Sequence, residues 1–227
     1  MDLLIRIIFG APGFALAIMI HEASHALAAL KLGDPTAKNA GRISLNPRRH
    51  FDAMGAIVYV ALMVFTRGRF AIGWAKPVPI NPYNFRDHRR DFMLSSLAGP
   101  VANLAQALVW ALLMRAYAAA RGVPPFVVLQ RSESAADPVA FMIFFGILIN
   151  VVLAVFNLIP IPPLDGSRVL GWMLPERYAY RLDQVERYGI LIVLGLLFFV
   201  PGVFNAWMST FADPLINLFV KVAGAMS

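Results

Sequence analysis

Apolar and polar residues fall along this chain in long blocks, not in the short mixed patterns of a water-soluble domain. Four apolar blocks reach or approach the roughly 20 helical residues needed to cross a hydrocarbon core of about 30 Å. They cover 7–32, 92–120 and 138–159, and a fourth begins at Tyr188. Pro201 and Gly202 are expected to kink or end the fourth, because proline lacks an amide N–H and clashes with the preceding turn. The apolar tail 203–222 then reads as a fifth span or an interfacial helix. One further apolar run, Ala53–Phe65, is short for a span. Its flanks GRISLNP (41–47) and GWAKPVPINP (73–82) alternate polar and apolar residues and carry Pro and Gly, which predicts strands and turns.

Charge decides how that short run is read. If it crosses, the Lys and Arg residues split 11 to 8 between the two faces, with Lys221 left aside. If it dips in and returns, they split 15 to 4. Cytoplasmic loops are enriched in Lys and Arg, so the re-entrant reading orients the protein and the crossing reading does not. The predicted fold is therefore an all-α polytopic membrane protein with four to six transmembrane helices. A re-entrant or β-hairpin-containing element lies between its first two full spans.

Composition agrees with this class. Hydrophobic residues make up 59 % of the 227 positions and charged residues 15 %, against about a quarter charged in soluble domains. The 17 Phe and long aliphatic runs exclude intrinsic disorder. The net charge of +7 could suggest nucleic acid, but the basic residues sit between apolar runs and form no single stripe, so no nucleic-acid partner is expected. With no cysteine, disulfide frameworks, zinc knuckles and thiol nucleophiles are excluded. The first apolar run is long and contains ionisable residues, unlike a cleavable signal sequence. No internal repeat is evident.

The chemistry is concentrated in the first span, which holds His21, Glu22, Ala23, Ser24 and His25. Histidines at i and i+4 lie one turn apart on one helix face, so both imidazoles can reach one metal ion. The intervening glutamate can reach a water there without being a ligand, which is the H-E-x-x-H arrangement of zinc metalloproteases. Each ionisable residue in a span is expensive to insert, and three occur within five positions. A catalytic zinc site normally takes three protein ligands. His50 and His88 sit beside arginines in basic loops and read as surface or turn residues. Asp165, in NLIPIPPLDG (157–166), is the better third ligand. The prolines there forbid regular helix, and Gly166 permits a close approach. In the re-entrant topology the first and third spans run in the same direction, which brings HEASH and Asp165 to the same basic face. Gly99, Pro100 and Asn103 in the second span read as packing residues.

Taken together, HEASH in an apolar helix and the downstream Asn-x-x-Pro and Leu-Asp-Gly resemble the site-2 protease family of intramembrane zinc metalloproteases. GRISLNPRRHFD, GWAKPVPINP and LAGPVANL (97–104) resemble loops and spans of its small bacterial and archaeal members without PDZ or CBS domains. The resemblance implies one integral membrane protease domain over 1–227 and one zinc ion per chain. It implies that His21, His25 and Asp165 bind the zinc, that Glu22 activates water, and that Asn157 helps to hold the substrate backbone. By position alone, Asn157 could donate to a substrate carbonyl or make a helix-packing bond. The implied partners are the lipid bilayer and a membrane protein or membrane peptide as substrate, which a strand beside 53–65 could bind by strand addition. The implied location is the cytoplasmic membrane, with the site opening toward the cytoplasm. The alternative is a non-proteolytic zinc-binding scaffold or a transporter, although a transporter would favour repeats and several polar, interrupted spans.

Overall fold

The computed structural model describes residues 2–50, 52–65, 76–133 and 137–225. The helices are α1 (Asp2–Leu32), α2 (Thr36–Asn39), α3 (Pro47–His50), α4 (Ala53–Phe65), α5 (His88–Ala120) and α6 (Pro125–Glu133). They continue with α7 (Pro138–Asn157), α8 (Gly166–Met173), α9 (Glu176–Val185), α10 (Gly189–Phe199) and α11 (Pro201–Val222). Three are long and apolar enough to cross a membrane: α1 from Leu4, α5 and α7. A fourth span is counted if α10 and α11, which meet at 91°, are taken as one broken crossing.

The three long helices pack on one another and form the centre of the molecule. Along α5, Ala107, Ala111, Met114 and Ala118 recur at helical spacing and are fully buried. They meet Ile143, Ile147, Val151 and Val155 of α7, with Ala212 and Phe219 of α11 closing the cluster. Small side chains matter here because lipid is as apolar as leucine, so association relies on close packing. At Gly146 of α7, a Cβ would run into the Trp110 ring. The outer surfaces are apolar as well: Leu4, Ile8 and Leu16 of α1 and Val101 and Leu112 of α5 are exposed. Polar side chains point inward instead, with Ser95, Asn103 and Asn150 fully buried. This inside-out distribution is what a hydrocarbon solvent selects. Asp87 and Asp137 cap α5 and α7 by accepting from Arg90 N at 3.0 Å and Ala140 N at 3.1 Å.

One expectation is corrected and one is narrowed. No strand occurs among the described residues. Residues 41–46 form turns and Pro47 opens a helical turn, while 76–81 is an irregular strap. Pro77 and Pro79 explain the strap, since each removes a donor that a ladder needs. Residues 73–75 of that predicted strand lie outside the described residues. Among the described residues the candidate spans number three, or four with the bent pair, which meets the expected four to six only at its lower end, because α4 is a 13-residue helix of about 20 Å and α10 has only 11 residues. The break falls where Pro201 was expected to place it, at Val200. Residues 66–75, on which the return of the re-entrant element depends, lie outside the described residues.

Candidate metal centre

His21 and His25 occupy the inner face of α1 and are buried. Their Nε2 atoms lie 2.9 Å apart. Asp165, which caps α8, places its Oδ2 3.3 Å from His21 Nε2 and 3.4 Å from His25 Nε2. The three ligand atoms thus converge from residues 21, 25 and 165 on one point. A tetrahedral ion bonded at about 2.0–2.1 Å has ligand–ligand edges of about 3.3 Å, close to the observed triangle.

The outer atoms of both rings determine which proton sits where. His21 Nδ1 lies 2.6 Å from Asn103 Oδ1. Asn103 Nδ2 donates to Ala17 O at 3.1 Å and to Asn150 Oδ1 at 2.8 Å, which commits the amide so that its oxygen faces the imidazole. Asn150 in turn donates to Gly146 O at 2.9 Å. His25 Nδ1 faces Ser95 O at 2.8 Å. Each Nδ1 therefore meets a pure acceptor and must donate, so the neutral rings present their Nε2 lone pairs to each other. Asp165 Oδ2 joins them, buried and without a hydrogen-bond partner. In these tautomers three lone-pair donors converge, which suits a cation, and the outer partners are those that orient metal-binding histidines. The residues present fit zinc.

Glycine makes the site possible at two points. A Cβ on Gly99 of α5 would run into both imidazoles, and one on Gly166 would strike the Leu158 carbonyl. Without these close approaches neither α5 nor α8 could sit where it does. Helix α8 is tied down from outside. Arg89 donates to Gly171 O at 2.6 Å and Leu174 O at 2.5 Å. Arg168 lies over the Phe92 ring at 4.6 Å and pairs with Asp183 at 3.0 Å and Glu186 at 2.5 Å.

Glu22 is half-buried, and its Oε2 accepts from Val78 N at 3.0 Å. The strap is pinned on either side of that contact. Lys76 N donates to His50 O at 2.9 Å. Asn81 N donates to Asp34 Oδ2 at 2.7 Å, and Asn84 Nδ2 donates to Asp34 Oδ1 at the same distance. Asn157, at the end of α7, donates to Leu153 O at 3.0 Å, one turn back on its own helix. Of the histidines assigned to loops, His88 bonds Pro82 O at 2.7 Å and is exposed. His50 is instead buried, and its Nε2 lies 2.6 Å from Ser44 O in the turn it stabilises.

Reading the sequence missed Asn103, Asn150, Ser95 and Val78 as parts of this centre, and it gave Gly99 and Asn103 only a packing role. A signal was present for the two asparagines, since each sits uncharged but polar in an apolar helix and must find a partner there.

A two-histidine, one-carboxylate cluster inside a bundle of apolar helices defines the class: a membrane protein with the ligand set of a zinc metallopeptidase. Comparison with known proteins gives the family. The family model for peptidase family M50 matches residues 54–200. The chain is 35 % identical over 211 residues to the "Putative zinc metalloprotease YwhC" of Bacillus subtilis (strain 168), covering 89 % of this chain and 87 % of that one. It is 29 % identical over 198 residues to Rip2 of Mycolicibacterium smegmatis, covering 86 % of this chain and 68 % of the relative. Rip2 of Mycobacterium tuberculosis (strain H37Rv) is 27 % identical over 199 residues, with the same coverage. No solved structure matches significantly. The chain belongs to peptidase family M50, the site-2 protease family.

Proposed function

We propose that this protein is an intramembrane zinc protease that hydrolyses peptide bonds of membrane-spanning or membrane-associated substrates. The observation that carries the reading is the meeting of His21 Nε2, His25 Nε2 and the unpartnered Asp165 Oδ2, with Glu22 next in sequence to the first of them. Held by these three residues, zinc would supply a Lewis acid for the scissile carbonyl and lower the pKa of water. Glu22 takes a proton from the attacking water as its oxygen bonds to the carbonyl carbon. It returns that proton to the amide nitrogen as the C–N bond breaks. Its bond to Val78 N fixes the carboxylate before substrate arrives.

A substrate helix has its amides bonded internally, so it must unwind locally before water can attack. Asn157 is the side chain we assign to the freed backbone. Its present bond to Leu153 O is a local contact that a substrate carbonyl can replace. The strap is a poor edge for strand addition along 77–79, because Pro77 and Pro79 offer no N–H and the Val78 N–H is taken. The concentration of Lys and Arg in the loops around the site favours an opening toward the cytoplasm.

The test is Glu22→Gln, which preserves size and removes basicity. The variant should keep about one zinc per chain and fold like the wild type. Cleavage of a model single-span substrate should slow by at least about 10²-fold, the low end for a positioned acid–base group. Unchanged cleavage with zinc bound would remove Glu22 from the reaction.

A further inference from the structure

The strap 76–81 reads Lys-Pro-Val-Pro-Ile-Asn and runs into Pro82. Three of its residues stand directly before a proline: Lys76, Val78 and Asn81. The same three donate their amides to fixed points. Lys76 N donates to His50 O, Val78 N to Glu22 Oε2, and Asn81 N to Asp34 Oδ2. A proline fixes its own φ and confines the residue before it to extended backbone. Asn81 shows this, with φ −108° and ψ 103°. Between the pins at 78 and 81, Ile80 alone neither is a proline nor precedes one. The strap is therefore stiff, and a shift at one pin is carried to the next with little absorbed between them.

Asp34 is the firmest of the pins. Gly33, at φ 115°, turns the chain back at the end of α1, so that Asp34 N reaches Ala29 O at 2.8 Å. The residue is fully buried there. Its Oδ1 accepts from Thr36 N at 3.0 Å, Thr36 Oγ1 at 2.5 Å and Asn84 Nδ2 at 2.7 Å. Its Oδ2 accepts from Asn81 N at 2.7 Å. Asn81 Oδ1 then accepts from Tyr83 N at 3.2 Å and closes the turn 82–84. One carboxylate thus holds both the strap and the turn that follows it.

We infer that Asp34 is a positioning residue for the proposed reaction, acting on Glu22 through the strap and the Val78 N–H. This inference rests on the protease reading above. With Oε2 held by Val78, Glu22 keeps Oε1 for the attacking water, since Oε1 accepts from no described residue. The glutamate side chain has three rotatable bonds, and a reacting group misplaced by about 1 Å can cost about 10²-fold in rate. Asp34 lies twelve positions from Glu22 and acts only by setting where along α1 the strap falls. A strap that served only to close its loop could turn any amide toward any acceptor. This one has a single amide across 77–79, and it goes to the proposed base.

The experiment uses the full chain, zinc-loaded in lipid nanodiscs. The substrate is a fluorogenic single-span Leu/Ala peptide with a central Asn-Gly break. Asp34→Asn keeps the side chain's shape but leaves one acceptor oxygen, so donors on one side of it lose their partner. The variant should hold about one zinc per chain, lower kcat about three- to thirtyfold and leave KM within about twofold. Replacing Val78 by its α-hydroxy acid removes the N–H, keeps the side chain, and should lower kcat about ten- to 10²-fold. The same replacement at Ile80, whose N–H donates to no described residue, should leave kcat unchanged. Combined, Asp34→Asn and the Val78 replacement should slow turnover no more than the Val78 replacement alone, because the first acts through the second. Amide exchange reads the link without turnover. Val78 carries the one amide of 77–79, and its exchange should quicken at least about tenfold in Asp34→Asn. Unaltered exchange or unaltered kcat in Asp34→Asn overturns the inference, and so do losses that simply add in the combined variant. A rise in KM in place of a fall in kcat would make the strap a substrate contact, and a rise in kcat would make it a plug over the base; either overturns it. No cleavage by the zinc-loaded wild type would sink the protease reading and this inference with it, whereas cleavage indifferent to Asp34 and Val78 sinks the inference alone.

Discussion

The two halves of α1 are built to different rules. The turn that carries His21 and His25 is wedged between α5 and α7 so closely that position 99 admits no side chain at all. Each outer imidazole atom there has a fixed partner. The turns from Ile7 to Ile18 face α4 across a cavity, and two buried polar atoms beside it have none. The first region is finished before any partner arrives, which is what a metal centre needs if its ligands are to hold one geometry. The second is loosely packed, and its walls are almost wholly apolar.

The sharpest way to break this contrast is to remove a ligand from the finished half. His21→Ala, His25→Ala and Asp165→Ala should each abolish stoichiometric zinc and reduce cleavage to background, measured on the same preparations by metal analysis and peptide turnover. Full zinc and full activity in Asp165→Ala would show that the loop-borne carboxylate is a neighbour and not a ligand.

A step outward, Asn103→Ala should weaken zinc binding by about 10- to 100-fold while leaving the three ligands in place, the usual effect of losing an outer partner. Competition with a calibrated chelator measures it. Asn103 is the more informative target because its amide also ties α1 to α7 through Ala17 O and Asn150 Oδ1. Loss of helix packing without loss of zinc affinity would mean that the asparagine serves the bundle only.

How much of this could be read beforehand depends on the range of the interaction. The meeting of the two histidines was legible because helical periodicity alone puts residues 21 and 25 on one face. Asp165 was legible because an Asp-Gly after three prolines must leave the helix, and span direction brings it back to the right end. Asn103 was visible as a polar residue in a span, but nothing local says that its partner is an imidazole 82 positions away. Gly99 looked like a packing residue, and the side chains it makes room for turned out to be the two histidines. The strap was misread as strand because alternation was weighed above proline. At 77 and 79 the missing donors decide the backbone, and the one remaining donor between them goes to Glu22. The cavity beside α4 could not be read at all, since an absence of packing leaves no pattern in a sequence.

The smallest expected effect concerns the strap that joins the two halves. Asp34 is fully buried at the end of α1. Burial pushes its carboxyl up, but donation from Asn84, Thr36 and Asn81 outweighs this and holds it below the usual carboxylate range. A pKa depressed by folding contributes stability that is fully present above the unfolded value of about 3.9 and fades as pH falls through the folded value. The thermal midpoint of the wild type should therefore exceed that of Asp34→Asn by a few degrees at pH 7. The gap should narrow below about pH 4, as the wild-type carboxylate takes up its proton. Melting both proteins in the same detergent from pH 7 to pH 3 measures it. A gap that widens in acid would mean that the buried charge costs more than its donors return. The strap, and with it the Val78 contact to Glu22, would then be held chiefly by Lys76 and His50.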